Sequence, residues 1–132
     1  MKRIKQRKAP SNSRIVPREE GGDTDNETPS FCFKYLQKGY DFATFRGPED
    51  HTAFSRFLVG IACQPWRDIK LASRRGRGYE KIHFFLTTKP QGLEDKDFIA
   101  FRGNGIRRFI GFRERQTLYV VWIDMKGETY EH

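Results

Sequence analysis

Four arginines, Arg102, Arg107, Arg108 and Arg113, stand close together in the last third of the chain, and Asp124, Tyr130 and His132 follow them to its end. Guanidinium groups grip phosphates through forked hydrogen bonds. An imidazole moves protons near neutral pH, and a phenol stacks on a base or donates a proton. Together such groups could grip a phosphate chain and move protons beside it. Glu80, in "GYEKI", adds a carboxylate able to pair with an arginine or to take a proton. A plainer account gives the arginines a solvated sheet face, Asp124 a turn to cap, Tyr130 a half-buried packing role and His132 a frayed terminus.

A second group of donors sits in "RRGRG", where Arg74, Arg75 and Arg77 alternate with glycines in a loop suited to touching RNA. The loop lacks the pattern of a nucleotide triphosphate site. His83, in "KIHFFL", reads as a half-buried strand residue. Cys32 and Cys63 are 31 positions apart and only three histidines accompany them, so a structural zinc site is not expected. Both cysteines lie in apolar contexts and read as buried free thiols, which suits a reducing cytoplasm. There is no Ser-His-Asp order and no paired carboxylates at telling spacing, and neither a metal nor a cofactor is expected.

The formal charge is +8, from 25 Lys and Arg against 17 Asp and Glu. Residues 1–18 carry seven cations and no anion, residues 19–29 five anions and no cation, and residues 30–132 the remaining 18 cations and 12 anions, a surplus of +6. Such a balance suits an anionic partner, nucleic acid first, or a basic surface that is merely solvated. No apolar run reaches membrane-spanning length and no secretion signal opens the chain, so no membrane partner and a cytoplasmic location are expected.

Elements must position these groups. Residues 1–29, rich in charge blocks, Pro, Gly and Ser, read as a disordered charged arm. Residues 30–132 read as one α+β domain. "FCFKYL" alternates as a strand; Pro48, Glu49 and Asp50 open a helix whose Phe54, Phe57, Leu58 and Ile61 share one face; Pro65 starts a second helix, "PWRDIKLAS". "FIAFR", "RRFIGFR" and "TLYVVWID" then form three strands joined by turns short enough for an antiparallel meander. A last turn at "MKGE" is expected to fold residues 129–132 back beside 121–124. The predicted architecture is β-α-α-β-β-β, an antiparallel sheet with two short helices packed on one face.

The stretch "FSRFLVGIACQPWRDIKLAS", with paired helices and a proline break, and the stretch "FIAFRGNGIRRFIGFRERQTLYVVWIDMKGETY", with an arginine ending one strand, a glycine turn, an arginine opening the next and a terminal tyrosine, resemble the RelE/ParE-like toxin superfamily. The resemblance covers residues 31–132. It implies a toxin of a toxin-antitoxin system, an endoribonuclease that cuts messenger RNA without metal, ribosome-associated, with a cognate antitoxin protein as partner. By the same resemblance Arg102, Arg108, Tyr130 and His132 are catalytic; the basic loop and the strand arginines, Arg74, Arg75, Arg77, Arg107 and Arg113, are expected to bind the substrate. Gyrase-inhibiting members share the fold and lack the chemistry, so the alternative is a non-catalytic module that binds protein or nucleic acid. Residues 79–97 are longer than the connection usual in that superfamily, and the arm has no counterpart there.

Overall fold

The computed structural model describes residues 21–131. The first long element is helix α1 (Pro48–Ala62), entered through Pro48 with Glu49 and Asp50 in its first turn, where carboxylates meet the positive end of the helix dipole. Its buried Ala53 and Phe57 recur one turn apart, and the Phe57 ring stacks on Phe109 at 4.5 Å between centroids. Helix α2 (Trp66–Arg74) follows at once, with Pro65 as its N-cap, and buries Trp66 and Ile69.

Beneath the helices lies a mixed sheet of five strands among the described residues, β1 (Ser30–Cys32), β2 (Tyr79–Lys81), β3 (Phe98–Arg102), β4 (Arg108–Glu114) and β5 (Thr117–Asp124), in the order β1-β5-β4-β3-β2. The α+β class holds. The expected antiparallel sheet of four strands is corrected in three respects: β1 lies parallel to β5, with Phe31 opposite Leu118, while the other pairings are antiparallel; β2 adds a fifth strand; and the strand expected over "FCFKYL" ends at Cys32. A strand that enters a meander from across the helices joins its last member, and here the two run the same way. The register of β4 on β5 shifts at Ile110/Gly111, so Gly111 faces Val120 while Ile110 faces Trp122. The bulge leaves Val121 and Trp122 in the same core cluster, although successive strand residues ordinarily part to opposite faces.

Both faces of the sheet are covered. Phe57, Trp66 and Ile69 of the helices pack on Ile99, Phe101, Phe109, Leu118 and Val120, and a second core on the far side joins Phe98, Ile110, Phe112 and Trp122 to Ile82, Leu93 and Tyr130. That far cover is irregular chain. The C-terminal segment does not return beside 121–124 as the sequence suggests; it pairs with the 84–86 stretch, where Leu86 N–H donates to Thr129 O at 2.9 Å, Glu131 N–H donates to Phe84 O at 2.9 Å and Phe85 faces Tyr130. His83, expected half-buried in a strand, is exposed and outside the strands; Cys63, expected buried, is exposed, and Cys32 is half-buried.

Residues 21–29, assigned by composition to the arm, lie against the domain. Thr24 is fully buried, Trp66 N–H donates to Glu27 O at 3.0 Å, and Asp25 bridges Lys70 Nζ at 2.8 Å and Arg113 Nη2 at 2.7 Å. The rest of the expected arm, residues 1–20, falls outside the described residues.

Candidate functional site

The β3–β4 register sets Arg102 opposite Arg108, and strand alternation puts both on the face away from the helices, with Ala100 and Ile110 of the far core two residues on. Glu80 of β2 pairs with Ala100, and its side chain meets theirs. Tyr130 arrives from the other end of the chain. Its hydroxyl donates to Glu80 Oε2 and accepts from Arg108 Nε at 3.2 Å, while Arg102 Nη2 stands 3.9 Å from the other oxygen, Glu80 Oε1. Four side chains drawn from β2, β3, β4 and the C-terminal segment thus form one cluster.

Exposure divides the cluster. Tyr130 is 2% and Arg108 9% exposed, whereas the side chains of Glu80 and Arg102 are 35% and 65% exposed. Arg108 spends its Nη1 on the carbonyls of Gly105 at 3.0 Å and Arg107 at 2.9 Å. Burial first, and then the bond to Glu80, push the Tyr130 phenol up to about 12, against the pull of the neighbouring Arg108 charge. At neutral pH that hydroxyl is a donor and not a base. Only Glu80 and Arg102 present reactive atoms to solvent.

Asp124 explains how Tyr130 reaches its place. Fully buried, it accepts from the backbone N–H groups of Lys126 (3.2 Å), Glu128 (2.9 Å) and Thr129 (2.9 Å) and from the Thr129 hydroxyl (2.7 Å). Gly127 turns the chain there with φ of 65°. Asp124 is a turn-former, as the plainer account has it. His132, expected in the cluster, lies outside the described residues.

The remaining arginines do not form a stripe. Arg107 leaves for the helix side, where its Nε donates to Asp50 at 2.8 Å; that bond and one from Arg46 N–H hold the Asp50 carboxyl below its ordinary value, the backbone bond being the larger cause. Arg113 is taken up by Asp25, by Thr24 Oγ1 at 3.0 Å and by the Trp66 ring, 4.4 Å beneath its guanidinium. The "RRGRG" loop is split: Arg74 lines a groove of about 440 Å³ with Lys70, Tyr79, Glu80, Lys81 and Arg102, Arg77 lines a hollow on the other side of Arg102, and Arg75 caps α2 and lines neither. Sequence reasoning missed Lys70 and Lys81. The four-residue spacing of Lys70 and Arg74 on α2 was a usable signal, since such residues share a helix face.

Among the described residues no three His, Cys, Asp or Glu side chains gather to hold a metal ion, and no helix is long and apolar enough to cross a membrane. Comparison with protein-family models, with curated proteins and with solved structures finds no match.

Proposed function

We propose that the protein binds single-stranded RNA in the groove along β2 and cuts it there without a metal ion. One observation carries this reading: the Glu80 carboxylate is held on one oxygen by Tyr130, and its other oxygen stands beside exposed Arg102 at a groove lined by Lys70, Arg74 and Lys81. In the reaction, Glu80 takes the proton of the 2′-hydroxyl and the 2′-oxygen attacks phosphorus. The bond from phosphorus to the 5′-oxygen breaks, and that oxygen leaves with the electron pair and takes a proton from water. The products are a 2′,3′-cyclic phosphate and a 5′-hydroxyl. Arg102 balances the charge that grows on the phosphate oxygens. Tyr130 and Arg108 are positioning residues in this scheme, since they orient Glu80 from beneath and are too buried to touch RNA.

The resemblance to RelE/ParE-like toxins supports the same chemistry and extends it to messenger RNA as substrate, the ribosome as platform, the cytoplasm as location and an antitoxin protein as restraint. Burial of Arg108 and Tyr130 favours a second reading, a non-catalytic module of that fold which binds nucleic acid, or a protein such as gyrase, and keeps the cluster for stability.

Transcript cleavage in chelator, with and without ribosomes, separates them. Glu80→Gln is expected to slow cleavage by about 10²–10⁴ while RNA binding persists. Arg102→Ala is expected to weaken both. Binding should fall with salt at a logarithmic slope of about −2 to −3, for three or four phosphates met by the groove cations. Salt-dependent binding without cleavage by the wild type selects the second reading, and binding indifferent to salt removes RNA from both.

A further inference from the structure

Across Arg102 from the groove lies a hollow of about 640 Å³ between α1, α2 and the end of β3. Arg102 and Gly78 line both spaces, so a chain leaving the groove past Arg102 meets the hollow next. Ala53, Phe57 and Phe101 contribute to its apolar lining, Arg56 and Arg77 are its cations, and Arg102, whose side chain turns to Glu80, stands at the boundary shared with the groove. Neither Arg56 nor Arg77 forms an ion pair with the described residues, and Glu49 is the one acid in the lining. The volume falls in the range of about 300–1,000 Å³ usual for small-molecule sites. It is too small for a partner helix and too cationic for a neutral apolar ligand.

Gly60 of α1 supplies an independent sign. A glycine inside a helix is destabilising relative to alanine, and here no packing demands it: a Cβ at Gly60 would meet nothing within 4 Å. The position lines the hollow, so the missing side chain leaves the space open. Gln64, one turn on, donates its amide to Gly60 O at 3.0 Å and keeps its own oxygen and a second N–H for other partners. Asn104 lines the space as well.

We propose that this hollow takes one unstacked ribonucleotide of the RNA, its phosphate on Arg77 and Arg56 and its base against the apolar lining, with Gln64 and Asn104 bonding the base edge. Sequence-selective reading of RNA works on such splayed bases. The inference rests on the reading of the groove as an RNA site, and it assigns base preference to the hollow and phosphate grip to the groove.

Calorimetric titration of the full chain with AMP, GMP, CMP and UMP, with inorganic phosphate as control, tests it. At least one mononucleotide is expected to bind roughly tenfold or more tighter than phosphate, because the base adds contacts that phosphate lacks. Gly60→Leu fills the space with a better helix former and should abolish that binding while its melting temperature stays at or above that of the wild type. Gly60→Ala should keep the binding, and Arg77→Ala should weaken it without loss of fold. Mononucleotides that bind no tighter than phosphate, or Gly60→Leu binding them like the wild type, overturn the inference. If the wild type and Gly60→Leu then still bind and cut RNA alike, the groove reading survives its loss. Mononucleotide binding that Gly60→Leu abolishes, in a chain that binds no RNA, would instead remove the groove reading and leave a nucleotide site.

Discussion

Tyr130 shows how little of a residue's role its type reveals. Its phenol sits between a carboxylate and a guanidinium, and both anchor it: Glu80 accepts its proton and Arg108 donates to its oxygen at 3.2 Å. Because burial and the Glu80 bond raise the phenol from its ordinary 10.0 to about 12, the native state holds its proton where the unfolded chain releases it. The native state therefore binds more protons between pH 10 and about 12, and stability present below pH 10 is lost as pH rises through that window. Tyr130→Phe is expected to cost about 1–3 kcal/mol at pH 8, since it strands a buried donor on Arg108 and removes a bond to Glu80. The wild-type advantage should shrink steadily from pH 10 to about 12 in denaturant titrations. An advantage unchanged by pH would mean that the phenol is not held between the two charges.

At the scale of elements the decisive residue is Gly111. A Cβ there would lie 1.8 Å from the Tyr119 carbonyl oxygen, which is backbone and has no room to move within the β4–β5 ladder. Gly111→Ala must open the bulge or shift the register, and its cost should exceed about 3 kcal/mol, the range of overpacked cores and beyond. A melting temperature within a few degrees of wild type would show that the ladder relaxes freely. The strands from Phe98 to Asp124 were legible in the sequence because short turns and alternation fix a meander locally. The bulge was not, since a glycine in "RFIGF" reads alike with or without an extra residue opposite it. The far cover was also illegible: residues 82–97 lack a period, and the partner that orders Tyr130 lies 50 residues away at Glu80. Arg102 and Arg108 were legible as members of two consecutive strands, and the resemblance paired them, but the imperfect alternation left their face open. Their opposite exposures depended on a segment whose path no local pattern predicts.

For the whole molecule, charge segregation in the sequence conceals an electrostatic tie between the acidic stretch and the domain. The acidic stretch that follows the basic N-terminal block does not simply solvate the chain: Asp25 clamps Lys70 of α2 to Arg113 of β4, Thr24 is buried beside it, and Trp66 is held by Glu27 on its backbone and Gln116 on its ring nitrogen. Lys70 is also a groove cation, so the tie fixes one wall of the proposed RNA site. A chain begun at residue 30 should therefore be less stable than one begun at residue 21, by about 2–4 kcal/mol if two charge-assisted hydrogen bonds and a buried threonine are lost. The bond from Lys70 first, and with it the bond and charge of Arg113, hold the Asp25 carboxyl below its ordinary value of 3.8 against the opposing effect of burial. A depressed native value stabilises above the unfolded one and that contribution disappears as pH falls through it, so the advantage of the longer chain should be full at pH 6 and should diminish below about pH 4. Asp25→Ala in the full chain should reproduce most of the deficit at pH 6 and little of it in acid. Urea titrations of the three chains at both pH values measure this directly, and equal stability of the chains begun at 21 and at 30 would return the whole stretch to the status of a charged tail.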